Sequence, residues 1–268
     1  MASRRRCGAR DLTDRAPTVP PQIARQRNAI LAVLLVLAAA GWYVVVLQTR
    51  RSGMGDDMNH GLNLTMGSAS LFFTMWVAMM TAMMFPAAAP MVVMYGRMRR
   101  SDPASVALFT GSYIALWIAF GGAAFALAWI VERRVSQSMW LAANWARGGG
   151  VLLVVAGLYQ LTPLKNVCLR QCRTPLAFVM QHWRDGRRGA VDMGLRHGAF
   201  CLGCCWLLFL ILVPIGVMNI AAMIAVTLVV FAEKVLPWGR GIGRVAAIGL
   251  VVYGALVIAR PALLHTMA

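Results

Sequence analysis

The chain has 268 residues, of which 60% are apolar and only 13% charged, and its mean hydropathy is +0.67. A soluble globular domain carries about 25% charged residues, so a water-soluble enzyme is excluded and a multi-pass membrane protein is expected. The net charge of +17 would suit a nucleic-acid binder, but the charges sit between long apolar runs, so nucleic acid is not expected as a partner.

The predicted elements follow from the bilayer. Lipid offers the backbone no hydrogen-bond partner, and about 20 apolar residues are needed for a helix to cross. The fold class is therefore all-α, a polytopic transmembrane helix bundle. Residues 1–28 are expected to form a disordered basic tail with Pro17, Pro20 and Pro21, and 29–268 the membrane domain. The apolar stretches are 29–47, 68–95, 105–131, 148–161, 198–213, 217–232 and 245–259. Between the fifth and sixth stretches, Pro214 and Gly216 fit either a tight reversal or a kink in one longer element, so seven spans are expected, with six as the alternative.

The basic residues give the orientation. With seven spans and a cytoplasmic N-terminus, the inner segments hold 20 Lys and Arg: seven in 1–27, three in 97–100, seven in 165–196 and three in 234–244. The outer segments hold six, at Arg50, Arg51, Arg133, Arg134, Arg147 and Arg260. The first apolar stretch is too long for a cleaved signal and reads as a retained anchor. Membrane lipid is the expected surrounding partner, and a bacterial inner membrane the expected location. No phosphate loop, dinucleotide fingerprint or hydrolase elbow occurs, so neither ATP use nor catalysis is expected.

Sulfur is gathered in two places. Eleven of the 18 methionines lie between Met54 and Met98. In the second stretch Met75, Met79 and Met83 are four apart, as are Met80 and Met84, and Met91, Met94 and Met98 continue the same side. On a helix this spacing makes a stripe. Methionine is also a common gap filler in packed helices. The alternative is a ladder of thioethers, which select Cu(I) over harder ions and are neutral, so they avoid the cost of a buried charge. The segment from Met54 to His60, with Asp56, Asp57 and Met58, reads as a short polar loop or an outer metal-uptake site.

Five of the six cysteines lie between Cys168 and Cys205. Cys168 and Cys172 are four apart within a segment, 162–197, expected to be a cytoplasmic loop. His197, Cys201 and Cys205 are also four apart, with Cys204 beside them. On the reducing side of the membrane a structural disulfide is not expected. Lys165, Arg170, Arg173 and Arg196 are expected to favour thiolates. Two or three thiolates suit Cu(I), and four would suit Zn²⁺. Asn219 sits at the reversal after Met218, and Glu233-Lys234 ends the sixth stretch, where it reads as an interfacial ion pair. Gly194 and Gly198 read as a close helix-packing pair.

The motifs together resemble a bacterial family called predicted metal-binding integral membrane proteins, a domain of unknown function. One branch of it is described as membrane copper chaperones for tyrosinase- or laccase-type oxidases. The resemblance rests on Met75-Trp76, Met79-Met80, Ala82-Met83-Met84, Pro86 and Pro90. It continues through Leu161-Thr-Pro163-Leu-Lys165 with Cys168 and Cys172, then Gly194, His197-Gly198 and Cys201-Leu-Gly-Cys204-Cys205-Trp206. It ends with Gly216-Val-Met218-Asn219, Met223 and Glu233-Lys234, and covers about residues 66 to 260. It implies a metal-binding inner-membrane protein that handles copper and passes it to a copper-requiring oxidase. A membrane thiol–disulfide oxidoreductase and a non-catalytic assembly factor, whose sulfurs only pack, are the competing readings.

Overall fold

A computed structural model describes residues 21–51, 66–99, 102–215 and 219–265. Eleven helices follow in chain order: α1 (Pro21–Arg51), α2 (Met66–Met98), α3 (Pro103–Ser136), α4 (Met139–Gln160), α5 (Pro163–Arg173), α6 (Pro175–His182), α7 (Gly186–Leu210), α8 (Leu212–Ile215), α9 (Ile220–Val235), α10 (Gly239–Ala259) and α11 (Ala262–His265). The described residues contain no strand. Residues 21–28, expected in the tail, form the first turns of α1; 1–20 and the Met54–His60 segment lie outside the described residues.

Six helical stretches are long and apolar enough to cross a membrane: Gln22–Arg50, Ala69–Met98, Pro103–Ser136, Met139–Gln160, Gly186–Ile215 and Gly239–Ala259. Of the stretch expected at 217–232, residues 220–232 lie in α9, whose 16 residues reach about 24 Å at 1.5 Å per residue, short of the hydrocarbon core. The six-span alternative therefore describes the long helices. Apolar side chains such as Val36, Leu228 and Val245 are mostly exposed, which is compatible with a hydrocarbon surrounding and would be a liability in water.

Small residues let three helix pairs approach closely. A Cβ on Gly41 of α1 would fall on the backbone of Ala78 and Ala82 of α2. Gly150 and Gly157 of α4 lie against Gly254, Ala247 and Val251 of α10. Gly194 and Gly198 of α7 seat Phe109, Ser112, Tyr113 and Leu116 of α3, as their spacing suggests. Within this arrangement α2 is the central helix: 67% of its apolar window is buried, against 22% for α1 and α10. It runs unbroken through Pro86 and Pro90.

The segment 162–197 is helical rather than open. Proline sits at the start of both α5 and α6, at Pro163 and Pro175, where its missing N–H costs nothing. Thr162 caps α5 by accepting from Lys165 N at 3.3 Å, and its hydroxyl donates to Tyr159 O at 2.7 Å, tying α5 to the end of α4. Replacing this cap, Thr162→Ala, is expected to cost about 1 kcal/mol, read as a lower thermal midpoint in detergent. The first twelve residues of α7 extend the span outward, and there Asp192 pairs with Arg184 at 3.3 Å and Arg196 at 2.8 Å.

Candidate metal centre

The two cysteine groups meet where α5 crosses α7. On α5, Lys165, Leu169 and Cys172 make the buried face, at the spacing of one helical side. On α7, Cys201, Cys204 and Cys205 are buried. The thiols of Cys204 and Cys205 donate to Cys201 O at 3.0 and 2.8 Å, which places all three on one side of the helix. Cys172 lies within hydrogen-bonding reach of Cys201 and Cys204. Cys168 is half-buried, and its sulfur occupies the space beside Gly203, where a Cβ would come within 2.8 Å. Tyr159 of α4 donates to the carbonyl of the same Gly203. All five cysteines are free thiols.

Two side chains that the sequence reading gave to an ordinary ion pair have different partners here. Glu233 accepts both its hydrogen bonds from Lys165 Nζ, at 2.6 and 2.7 Å, with the two side chains 3% and 2% exposed. Lys234 points away from this pair and donates to Cys201 Sγ at 2.9 Å. Consecutive residues on a helix point about 100° apart, so neighbours in sequence serve separate sites. Arg173 completes the docking of α5 on the end of α9, donating to Glu233 O at 3.1 Å and Leu236 O at 2.8 Å.

These contacts also explain the state of the α5 thiols. Three of the four cations expected to favour thiolates are engaged elsewhere: Lys165 with Glu233, Arg173 with backbone carbonyls, and Arg196 with Asp192. Burial pushes the Cys168 thiol above its ordinary value, and sharing hydrogen bonds with Cys201 and Cys204, then burial, pushes Cys172 well above its own. On α7, Cys201 Sγ is met by Lys234 and, at 3.1 Å, by the Tyr113 hydroxyl of α3. Tyr113, Lys234 and Gly203 were not singled out for the site from the sequence. Tyr113 lies about ninety positions from its partner sulfur, so no local pattern marks it.

The remaining expected ligands are distributed differently. His197 lies one turn from Cys201 but is packed in an aromatic box, with ring centroids of Phe109, Tyr113 and Phe178 at 6.0, 5.4 and 5.5 Å. Its Nδ1 is buried without a hydrogen-bond partner. Met75, Met79, Met80, Met83 and Met84 are all buried, but so are Ala82, Phe85 and Ala88, which carry no sulfur. Burial therefore does not separate a thioether ladder from packing. Asn219 caps α9, accepting from Ala222 N at 2.9 Å. Met218 lies outside the described residues.

Among the described residues, no group of three or more His, Cys, Asp or Glu side chains is set around a common point for a metal. The Cys204 and Cys205 thiols are turned back to Cys201 O. A tetrahedral Zn²⁺ site needs four such ligands. The donor set itself, several free buried thiols in one network, is chemically suited to a soft monovalent ion.

Long apolar helices around a nest of reduced sulfur define an all-helical protein compatible with a membrane and equipped with soft ligands. Residues 73–257 match the family model PpoB2, described as a copper chaperone, and the chain belongs to that family. Neither the curated proteins nor the solved structures contain a match to this chain. Membership in a copper-chaperone family makes copper handling the general role and implies a copper-handling partner.

Proposed function

We propose that this protein is a membrane chaperone that binds Cu(I) through thiolates drawn from Cys172, Cys201, Cys204 and Cys205 and hands it to a copper-requiring oxidase. Cys168 is a neighbouring donor, and His197 borders the site. The observation that carries this reading is the buried network of free thiols joining α5 to α7. Thiolates select Cu(I), and two or three suffice where Zn²⁺ would need four ligands. Met75, Met79, Met80, Met83 and Met84 would serve as a weaker thioether relay, and Met218 is a further candidate thioether donor. Counted with seven spans, the 20-to-6 division of basic residues supports a cytoplasmic position for the cysteine side and the N-terminus in a bacterial cell.

Copper analysis of the full chain, purified in detergent under reducing conditions, tests the reading. The expected result is about one Cu(I) per chain, in keeping with a single thiolate site, lost in the Cys201→Ser, Cys204→Ser, Cys205→Ser triple variant. A chain that takes up no Cu(I), yet still matures its oxidase, overturns it. Reversible disulfide formation with metal-free activity would support the oxidoreductase reading instead. Reporter fusions within 165–196 test the side of the membrane.

A further inference from the structure

Lys234 stands out because it is buried without a carboxylate. It is 8% exposed. The ion pairs among the described residues join Arg99 to Asp185, Lys165 to Glu233, and both Arg184 and Arg196 to Asp192; none includes Lys234. Its sequence neighbour Glu233 has both oxygens on Lys165. The described polar contact of the Lys234 ammonium is Cys201 Sγ at 2.9 Å, and that sulfur also meets Tyr113 Oη at 3.1 Å. A buried cation needs a counter-charge, and here the group that can supply one is sulfur.

We propose that Lys234 sets the charge, and so the metal preference, of the thiolate site. The inference rests on the Cu(I) reading above. Cu(I) held by two thiolates carries one net negative charge, and the Lys234 ammonium brings the assembly to zero. A divalent ion on two thiolates is neutral, and with Lys234 it leaves one positive charge. On four thiolates it carries two negative charges, and Lys234 leaves one. Among two-thiolate complexes the monovalent one alone is balanced, a divalent ion reaches balance beside Lys234 only on three thiolates, and residual charge in such an interior is costly. Lys234 is thus a specificity-determining neighbour of the metal and contributes no ligand atom. Its contact with Cys201 also keeps a cation beside the sulfur before copper arrives.

The test is competitive binding on the full chain in detergent, with bicinchoninate as the Cu(I) competitor and a chromophoric chelator for Zn²⁺. Lys234→Met is expected to weaken Cu(I) binding about 10–100-fold, the usual effect of removing a partner of a metal ligand. Zn²⁺ binding is expected to stay level or rise. Lys234→Arg, which keeps the charge, is expected to hold Cu(I) close to the wild type. Equal losses of Cu(I) and Zn²⁺ in Lys234→Met overturn the inference, as does a Lys234→Met chain that keeps the wild-type preference. Should Lys234→Met fail to give folded monomer, X-ray absorption of the copper-loaded wild type decides: two sulfur neighbours support the balanced site, three or four overturn it. A wild type that binds no Cu(I) refutes the functional reading itself, which separates the two failures.

Discussion

Replacing Glu233 with alanine is expected to lower the stability of the folded chain by about 3–5 kcal/mol, the cost of leaving one member of a buried ion pair alone. Lys165 Nζ sits 2.6 and 2.7 Å from the two carboxylate oxygens, and neither side chain reaches solvent. Without Glu233 the ammonium must be buried unpaired, or α5 must lift away from α9. The double variant Lys165→Met, Glu233→Leu is expected to recover most of the loss, because apolar replacement of a whole buried pair is often neutral or stabilising. Arg173 would still hold the end of α9 through the carbonyls of Glu233 and Leu236. Thermal unfolding in detergent reads both variants. A Glu233→Ala chain as stable as the wild type would sink the idea that this pair clamps α5. Cu(I) retention should follow stability, since the clamp carries Cys172 to the α7 thiols and does not touch the metal.

The second large effect is expected at Gly194. A Cβ there would collide with the carbonyl of Phe109 and the hydroxyl of Ser112. The carbonyl is backbone and cannot swing aside, so Gly194→Ala forces α3 and α7 apart. The expected cost lies at or above the top of the about 1–3 kcal/mol that overpacking brings. Separation also pulls Tyr113 of α3 from Cys201 of α7. Gly198→Ala is expected to cost much less, because its added carbon meets the flexible tip of Leu116 at 3.0 Å. Gly249 has open space around its Cα, and Gly249→Ala should be neutral or stabilising by about 0.5–1 kcal/mol, the helix preference of alanine over glycine. Equal melting temperatures for the three variants would remove close packing as the basis of the α3–α7 pair.

The same contrast between local and distant interactions governs how much of the molecule could be read beforehand. The apolar stretches became helices because lipid leaves the backbone no other way to satisfy its hydrogen bonds. α9 is also helical and apolar, but at 16 residues it is shorter than the six long stretches. The helices α5 and α6 were hidden in a polar segment taken for a loop, though Thr162-Pro163 and Thr174-Pro175 both have the form of a helix start. The packing role of Gly194 and Gly198 was legible because small residues four apart leave one groove on one face.

Spacing by itself put Cys201 and Cys205 on one helical face with Cys204 beside them, and Cys168 with Cys172 on another wherever their segment is helical, since a helix turns by a set angle per residue. The tertiary structure alone decided that these two faces meet, that Glu233 turns to Lys165 while Lys234 turns to sulfur, and that His197 is enclosed by aromatic rings. The physical reason is separation along the chain. A periodic pattern states which way a side chain leaves its own helix, whereas the partner waiting there, up to 88 residues away in the case of Tyr113 and Cys201, depends on how the helices pack.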